Sequence, residues 1–319
     1  MLLALLAFVL WAPASLVGLP CAALLILAPT SDRGAGGSGG GGGFSQPIAA
    51  MIGAVSVALL VLGGRSGGRL AAVTSAYIVL ATAAFLSLVL LRPGAILRQA
   101  LRSVVAAGLV CALLIQVMWG SEAWGGLAWE ATRQASIAMR TIVEVAPDAF
   151  PIYEPMVRFI SLTWPGMLAL QTIAGLALAW QLYVRIGAGA PPKGERAPVA
   201  PLTRFKDFNL GDGWVWGIIV WLGVLILPVS SVLHIAGTNV GLVAGTLYVL
   251  RGAAIVATFA EAFGVSALAL VLMAAAAAAL AVPLLFVLPG LCTLGITDTW
   301  YQYRRRLAET RQRQRSNTT

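Results

Sequence analysis

The sequence predicts an all-α fold, a polytopic transmembrane helical bundle of about nine spans, with a range of roughly 8 to 10. The mean hydropathy of the 319 residues is +0.89, and 59% of them are hydrophobic whereas only 10% are charged. This composition lies outside the range of soluble domains. Apolar runs separated by basic segments recur along the chain. We therefore expect a multi-pass integral membrane protein.

The N-terminal membrane half is expected to cover residues 1–186. Its apolar runs predict spans at these positions: 2–28, 47–64, 70–91, 100–119 and 157–184. The first run contains Pro13 and Pro20, so it forms either one kinked span or two short pieces. Because no basic segment precedes it, we expect a retained membrane segment and not a cleaved signal peptide.

The segment from 120 to 156 differs in character from the spans around it. Charged residues punctuate its apolar residues, and Trp119, Trp124 and Trp129 cluster at its start. Tryptophan is enriched at the membrane–water interface, and amphipathic helices lie in that plane. We expect an amphipathic helix on the membrane surface, with a lid over a pocket as the alternative.

Residues 187–209 are rich in proline and charge and predict a linker between two membrane halves. The C-terminal half, 210–303, has apolar runs at 211–230, 239–260 and 265–302. The last run would be about 57 Å long as one helix, against a hydrocarbon core of about 30 Å, so we expect two spans that turn near Pro283. The linker and the tail, 304–319, are both basic, which places both in the cytoplasm of a bacterial cell.

Small residues four apart let two helices approach closely. Two sets have this spacing and are expected to form helix-packing faces. One lies in the second predicted span: Ala50, Ala54 and Ala58. The other lies in the helix predicted over 237–261: Gly237, Gly241 and Gly245.

The helix predicted over 237–261 carries Arg251 near its middle. A cation within the bilayer costs several kcal/mol unless it is paired or hydrated. Asp298 lies two helical turns, about 9 Å, before the arginines that begin at Arg304, and it is one candidate partner. Glu261, on the same helix as Arg251, is the other carboxylate considered for a structural polar contact.

Three roles for Arg251 stay open at this point. The first is a structural ion pair or polar contact within the bundle. The second is a ligand counter-charge, assisted by Tyr248 and Asn239 toward the outer half of the helix. The third is a water-filled path through the membrane.

The sequence offers little for catalysis or metal binding. The one histidine, His234, is predicted in a turn, and the cysteines, Cys21, Cys111 and Cys292, lie in apolar runs without a CxxC pair. We expect no enzymatic activity, no metal site and no cofactor.

The basic tail begins with Arg304, Arg305 and Arg306. Arginines beside a membrane helix attract anionic lipids of the inner leaflet. We expect such lipids as partners of the tail. A cytoplasmic protein is the alternative, and a nucleic-acid partner is disfavoured because the basic residues flank apolar runs.

Three stretches carry a resemblance to a known family: 294–307 (LGITDTWYQYRRRL), 247–254 (LYVLRGAA) and 165–185 (PGMLALQTIAGLALAWQLYVR). They resemble the YybS-like family of bacterial membrane proteins, a domain of unknown function whose last helix ends in Leu-Gly-x-x-Asp-x-Trp-x-x-x-Arg-Arg. Arg251 stands where that family more usually has Gln. The family is distantly similar to S-components of energy-coupling-factor vitamin transporters.

The resemblance implies a compact helical bundle that holds a small ligand and docks on a transporter module. We therefore predict a small-molecule binding or transport component, with the ligand approached from outside, beneath residues 120–156. The alternative is a non-transporting membrane scaffold or interaction protein that uses its helical surface and its basic tail.

Overall fold

The computed structural model describes residues 15–27, 53–58, 61, 68–91, 94–145, 150–186, 204–211, 213–280, 284–307 and 309. Across these residues the regular structure is helical, without a strand. The chain forms two compact units, residues 2–202 and residues 203–319. The boundary between them falls inside the predicted linker, 187–209.

The first unit contains five helices: α1 (Ser15–Leu27), α2 (Gly68–Leu91), α3 (Ile96–Trp119), α4 (Glu122–Val145) and α5 (Phe150–Ile186). Helices α2 and α3 pack along each other, and α5 contacts α1, α3 and α4. Residues 53–58 are helical as well. Helix α4 is amphipathic, because it buries Ala123, Leu127 and Ala131 against Leu70 and Ile115 of its neighbours.

The second unit contains a short 3₁₀ helix (Phe205–Asp207) and four α-helices: α6 (Trp214–Ile226), α7 (Ser231–Ala262), α8 (Ala267–Leu280) and α9 (Leu284–Tyr301). Helix α7 is central, since α6, α8, α9 and the 3₁₀ helix all contact it. The hydroxyl of Ser230 caps its first turn by accepting from the N–H of Leu233. Residues 303–307 form a further helical turn.

Four helical segments of the described chain are long and apolar enough to cross a membrane: Gly68–Leu91, Ile96–Trp119, Glu154–Arg185 and Ser231–Ala262. This is the length and composition expected of a membrane protein. The predicted run 265–302 divides into α8 and α9, and Pro283 lies outside the described residues.

Two predicted boundaries are wrong. The span predicted at 211–230 is a helix of only 13 residues, because α6 ends at Ile226 shortly before Pro228. At 1.5 Å per residue it is about 20 Å long, less than a hydrocarbon core. The surface segment predicted to reach residue 156 ends at Val145, and residues 150–156 begin the 37-residue helix α5 instead.

The alanine face predicted in the second span is also not observed. Ala50 lies outside the described residues, and Ala54 and Ala58 are exposed. The buried residue of this turn is Ser56, and the Cα of Gly53 faces Ala22 of α1. At 100° per residue Ser56 lies about 200° around the helix from Ala54. The face that packs is therefore opposite to the predicted alanine face.

The predicted glycine face of α7 contacts α6 at two of its three positions. A Cβ at Gly237 would lie 2.7 Å from Val224 Cγ1, and one at Gly241 would overlap the indole of Trp221. Within the described part of the chain, Gly245 has no such neighbour within 4 Å.

Candidate functional site

Arg251 on α7 and Asp298 on α9 form a buried ion pair. The Nε and Nη2 atoms of Arg251 donate to Oδ2 of Asp298 at 3.2 and 3.1 Å. The two side chains are only 4% and 5% exposed. Burying a charge costs free energy that an opposite charge and hydrogen bonds at short range must offset. The pair is therefore the principal polar contact between these helices.

The remaining amino group of Arg251 is also used within the chain. Its Nη1 atom donates to Oγ1 of Thr299 at 3.2 Å and to the carbonyl oxygen of Leu210 at 3.3 Å. An arginine has five N–H donors. Four hydrogen bonds to protein acceptors thus satisfy most of what this guanidinium can offer.

Asp298 accepts from a second arginine and from the backbone. Nη2 of Arg304 lies 3.4 Å from Oδ2, and the N–H of Tyr303 donates to Oδ1 at 3.0 Å. The chain can turn back in this way because Gln302 has a φ of 46°, in the left-handed region, and its N–H bonds to the carbonyl of Asp298. A residue in this conformation commonly ends an α-helix.

Arg304 joins this cluster to the segment before α6. Its Nη1 atom donates to the carbonyls of Lys206 at 3.0 Å and Phe208 at 2.9 Å. The carbonyl of Leu210 accepts from Arg251. Every second carbonyl of residues 206–210 therefore accepts a hydrogen bond from one of the two arginines. The cluster therefore anchors the segment 204–211 to α7 and α9.

The predicted partner Glu261 takes a different role. Its carboxylate binds Nζ of Lys206 at 2.8 Å, and both side chains are partly or largely exposed. An exposed pair contributes about 0 to 1 kcal/mol. Glu261 thus forms a peripheral contact to the same segment and does not neutralise Arg251.

Two glycines that the sequence analysis did not single out determine how closely α7 and α9 approach. A Cβ on Gly252 would overlap the carbonyl oxygen of Leu291, and a Cβ on Gly295 would overlap the carbonyl oxygen of Tyr248. The helix backbones are therefore in direct contact one residue from Arg251 and three residues from Asp298. The signal was present in the sequence, since Gly252 follows Arg251 directly and Gly295 lies one helical turn before Asp298.

Asn239 and Tyr248, the other predicted ligand residues, are not brought together. Tyr248 is completely buried, and its neighbours include Val215, Ile218 and Ala244. Nine residues separate it from Asn239, so the two lie about 180° apart around α7 and about 13 Å apart along it. Asn239 donates to the carbonyl of Ile235 one turn earlier.

A groove of about 490 Å³ opens between the carboxyl end of α7, α8 and α9. Its walls are apolar apart from the rim, and neither Arg251 nor Asp298 lines it. The lining residues include Ile255, Phe259, Met273, Leu294 and Tyr303. The groove and the ion pair are therefore separate features of this unit.

The tail arginines differ in their surroundings. Arg304 is only 20% exposed, whereas Arg305 is 73% exposed and pairs with Glu309 at 3.0 Å. Arg306 holds its guanidinium 6.0 Å from the ring centroid of Tyr301. Arg304 was predicted to contact lipid or a partner, and the structure turns it inward onto Asp298 and the carbonyls instead.

In the first unit the carboxylate of Glu130 binds the start of α2. It accepts from the N–H groups of Leu70 at 2.6 Å and Arg69 at 3.3 Å. The N-terminus of a helix has unpaired N–H groups and a partial positive charge, which a carboxylate satisfies. This contact joins the amphipathic helix α4 to a helix of spanning length, and sequence reasoning did not find it.

Arginines stack on the predicted tryptophan cluster. Trp119 and Trp129 are 39% and 61% exposed, and the guanidinium groups of Arg69 and Arg133 lie 6.0 and 5.6 Å from their ring centroids. Trp124 donates to Oε1 of Gln116 at 3.1 Å. Exposed tryptophan beside arginine is the composition of an interfacial belt.

No three His, Cys, Asp or Glu side chains cluster as metal ligands would among the residues with described positions. His234 lies in the first turn of α7, not in a connecting turn as predicted.

The chain matches no family model, no curated protein and no solved structure.

Proposed function

We propose that this chain is a non-enzymatic scaffold or interaction protein of the bacterial cytoplasmic membrane. The observation that carries the proposal is the use of Arg251 within the fold: its donors meet Asp298, Thr299 and the carbonyl of Leu210, and its side chain is 4% exposed. A ligand counter-charge needs donors directed at a cavity. Arg251 acts instead as a structural residue that holds α7, α9 and the segment 204–211 together.

The proposed topology has the linker and the tail in the cytoplasm. Its support is the distribution of basic residues, because short loops rich in Lys and Arg stay on the cytoplasmic side. A reporter that fluoresces only in the cytoplasm, fused after Thr319, should be bright. Alkaline phosphatase, which needs export, should be inactive at the same position. The opposite result would overturn the proposed orientation.

We propose that the basic tail beyond Arg304 binds the partner. Its outer arginines are Arg311, Arg313 and Arg315. Changing all three to Gln should abolish stoichiometric co-purification of a cross-linked partner from membranes, while deletion of residues 316–319 should leave it intact. Absence of any stoichiometric partner of the wild-type chain would overturn the scaffold proposal.

The second candidate is the transport component implied by the YybS-like resemblance. The groove beside α7 supports it, since about 490 Å³ lies within the range of about 300 to 1,000 Å³ typical of small-molecule sites. Its apolar lining favours an apolar ligand. Co-purification of an ATPase-containing transporter module, together with a tightly bound small molecule, would support this function over the scaffold.

A further inference from the structure

The groove of the second unit lies along the last turns of α7. Ile255, Val256 and Phe259 form one wall, Leu270 and Met273 of α8 form another, and Leu294 of α9 lies between them. All of these side chains are hydrocarbon or thioether. Such a lining favours an apolar chain as the occupant.

An aromatic stack leads from this groove to a cation. Tyr303 lines the groove, and its ring stacks on Tyr301 with centroids 5.7 Å apart. The guanidinium of Arg306 lies 6.0 Å from the centroid of Tyr301. The groove, the two tyrosine rings and the guanidinium of Arg306 therefore follow one another in contact order.

The position of the groove along α7 matches the boundary between acyl chains and headgroups. With 32 residues α7 is about 48 Å long, whereas the hydrocarbon core is about 30 Å thick. The last turns of a helix of this length reach the headgroup region. This step rests on the proposed membrane location of the chain.

We propose that the groove binds one acyl chain of an anionic phospholipid and that Arg306 binds its phosphate. The charges are complementary, since a guanidinium is suited to phosphate oxygens. The apolar wall would contact the acyl chain of the lipid. Tyr301 and Tyr303 would lie at the level of its glycerol group, where amphipathic rings are favoured. A second transmembrane helix in the groove is the competing occupant, and it would require no anionic headgroup.

The proposal is tested by native mass spectrometry of the full-length protein, purified in detergent and titrated with phosphatidylglycerol or phosphatidylcholine of identical acyl chains. We expect one tightly retained phosphatidylglycerol per chain. Arg306→Gln should weaken it about fivefold, the effect of about 1 kcal/mol per basic residue near a lipid surface. Arg305→Gln is the matched control, because Arg305 pairs with Glu309, and it should leave retention unchanged.

The apolar part of the site has its own variant. Ala260→Trp places a large ring in the groove and should abolish retention, whereas Ala236→Trp, at an exposed position near the other end of α7, should not. Equal retention of the two lipids, equal effects of the two arginine variants, or full retention in Ala260→Trp would each overturn the proposal. Membrane fractionation of the wild-type chain separates these results from failure of the proposed location.

Discussion

Arg251 donates from both Nε and Nη2 to the same oxygen, Oδ2 of Asp298, at 3.2 and 3.1 Å. Arg304 approaches that oxygen as well, at 3.4 Å. Two guanidinium groups thus share one buried carboxylate, and the backbone carbonyls of Lys206, Phe208 and Leu210 accept their other donors. The three charged residues are unequal members of this cluster, because only Asp298 contacts both of the others.

Asp298→Asn should destabilise the protein more than Arg251→Gln. Breaking a buried ion pair costs about 3 to 5 kcal/mol because one charge stays buried and uncompensated. Asp298→Asn leaves two guanidinium groups facing each other, whereas after Arg251→Gln the carboxylate still has Arg304. Thermal unfolding of the purified protein in detergent should therefore give the lower Tm for Asp298→Asn. Equal Tm values, or the reverse order, would contradict this account.

Thr299→Val should have a smaller effect than either change. It removes one hydrogen bond of the charged Arg251 guanidinium, and a bond with one charged partner contributes about 1.5 to 3 kcal/mol. The double variant Arg251→Gln with Asp298→Asn should lose less than the sum of the two single losses. A coupling free energy of about 0.5 to 3 kcal/mol is expected for residues in contact.

Gly252→Ala and Gly295→Ala should each separate α7 from α9. A methyl group at either position would overlap a backbone carbonyl, so the helices must move apart or rotate. Overpacking of this kind costs about 1 to 3 kcal/mol or more. The same unfolding measurement applies, with Gly245→Ala on α7 as the control, since no described atom beyond its own turn of helix lies within 4 Å of its added Cβ. A Tm of Gly252→Ala as high as that of Gly245→Ala would show that the close approach is absent.

Arg304→Gln should release the segment 204–211. The carbonyls of Lys206 and Phe208 lose their common donor, and water then competes for them. We expect trypsin to cleave after Lys206 faster than in the wild-type protein. Arg305→Gln should leave the cleavage rate unchanged, because Arg305 bonds only to residues near it in sequence, Gln302 and Glu309, among its described contacts. Equal acceleration in both variants would assign the effect to charge alone.

Glu130→Gln should weaken the start of α2. The amide accepts less strongly than the carboxylate from the N–H groups of Arg69 and Leu70 and loses the favourable interaction with the helix dipole. A loss of about 1 kcal/mol is expected, the usual value of a helix cap. Hydrogen exchange at the amide of Leu70 should accelerate accordingly. Glu144→Gln, which breaks an exposed pair with Arg140, is the control and should leave that amide protected.

Much of the helical architecture follows from patterns within each segment. The helices over 68–91 and 96–119, and the break of the run 265–302 into two helices, agree with hydropathy, run length and proline positions. The short α6 was missed because hydropathy measures only apolar content, and the apolar residues Leu227 to Val229 continue past the end of the helix. The extension of α5 back to Phe150 was missed for the opposite reason, since charged Glu154 and Arg158 look like surface positions.

The sequence by itself determined that the chain is helical and strongly apolar, that Arg251 needs a partner, and that Asp298 is one candidate for it. These properties depend on composition and on spacing along one helix. Only the tertiary structure decided that Asp298 pairs with Arg251, that Arg304 also binds Asp298, and that Glu261 does not pair with Arg251. The partner of a side chain on another helix depends on the axial shift and rotation between the two helices. That relation is determined by the contact of Gly252 and Gly295 with the opposite backbone and by the turn at Gln302, which no local spacing reveals.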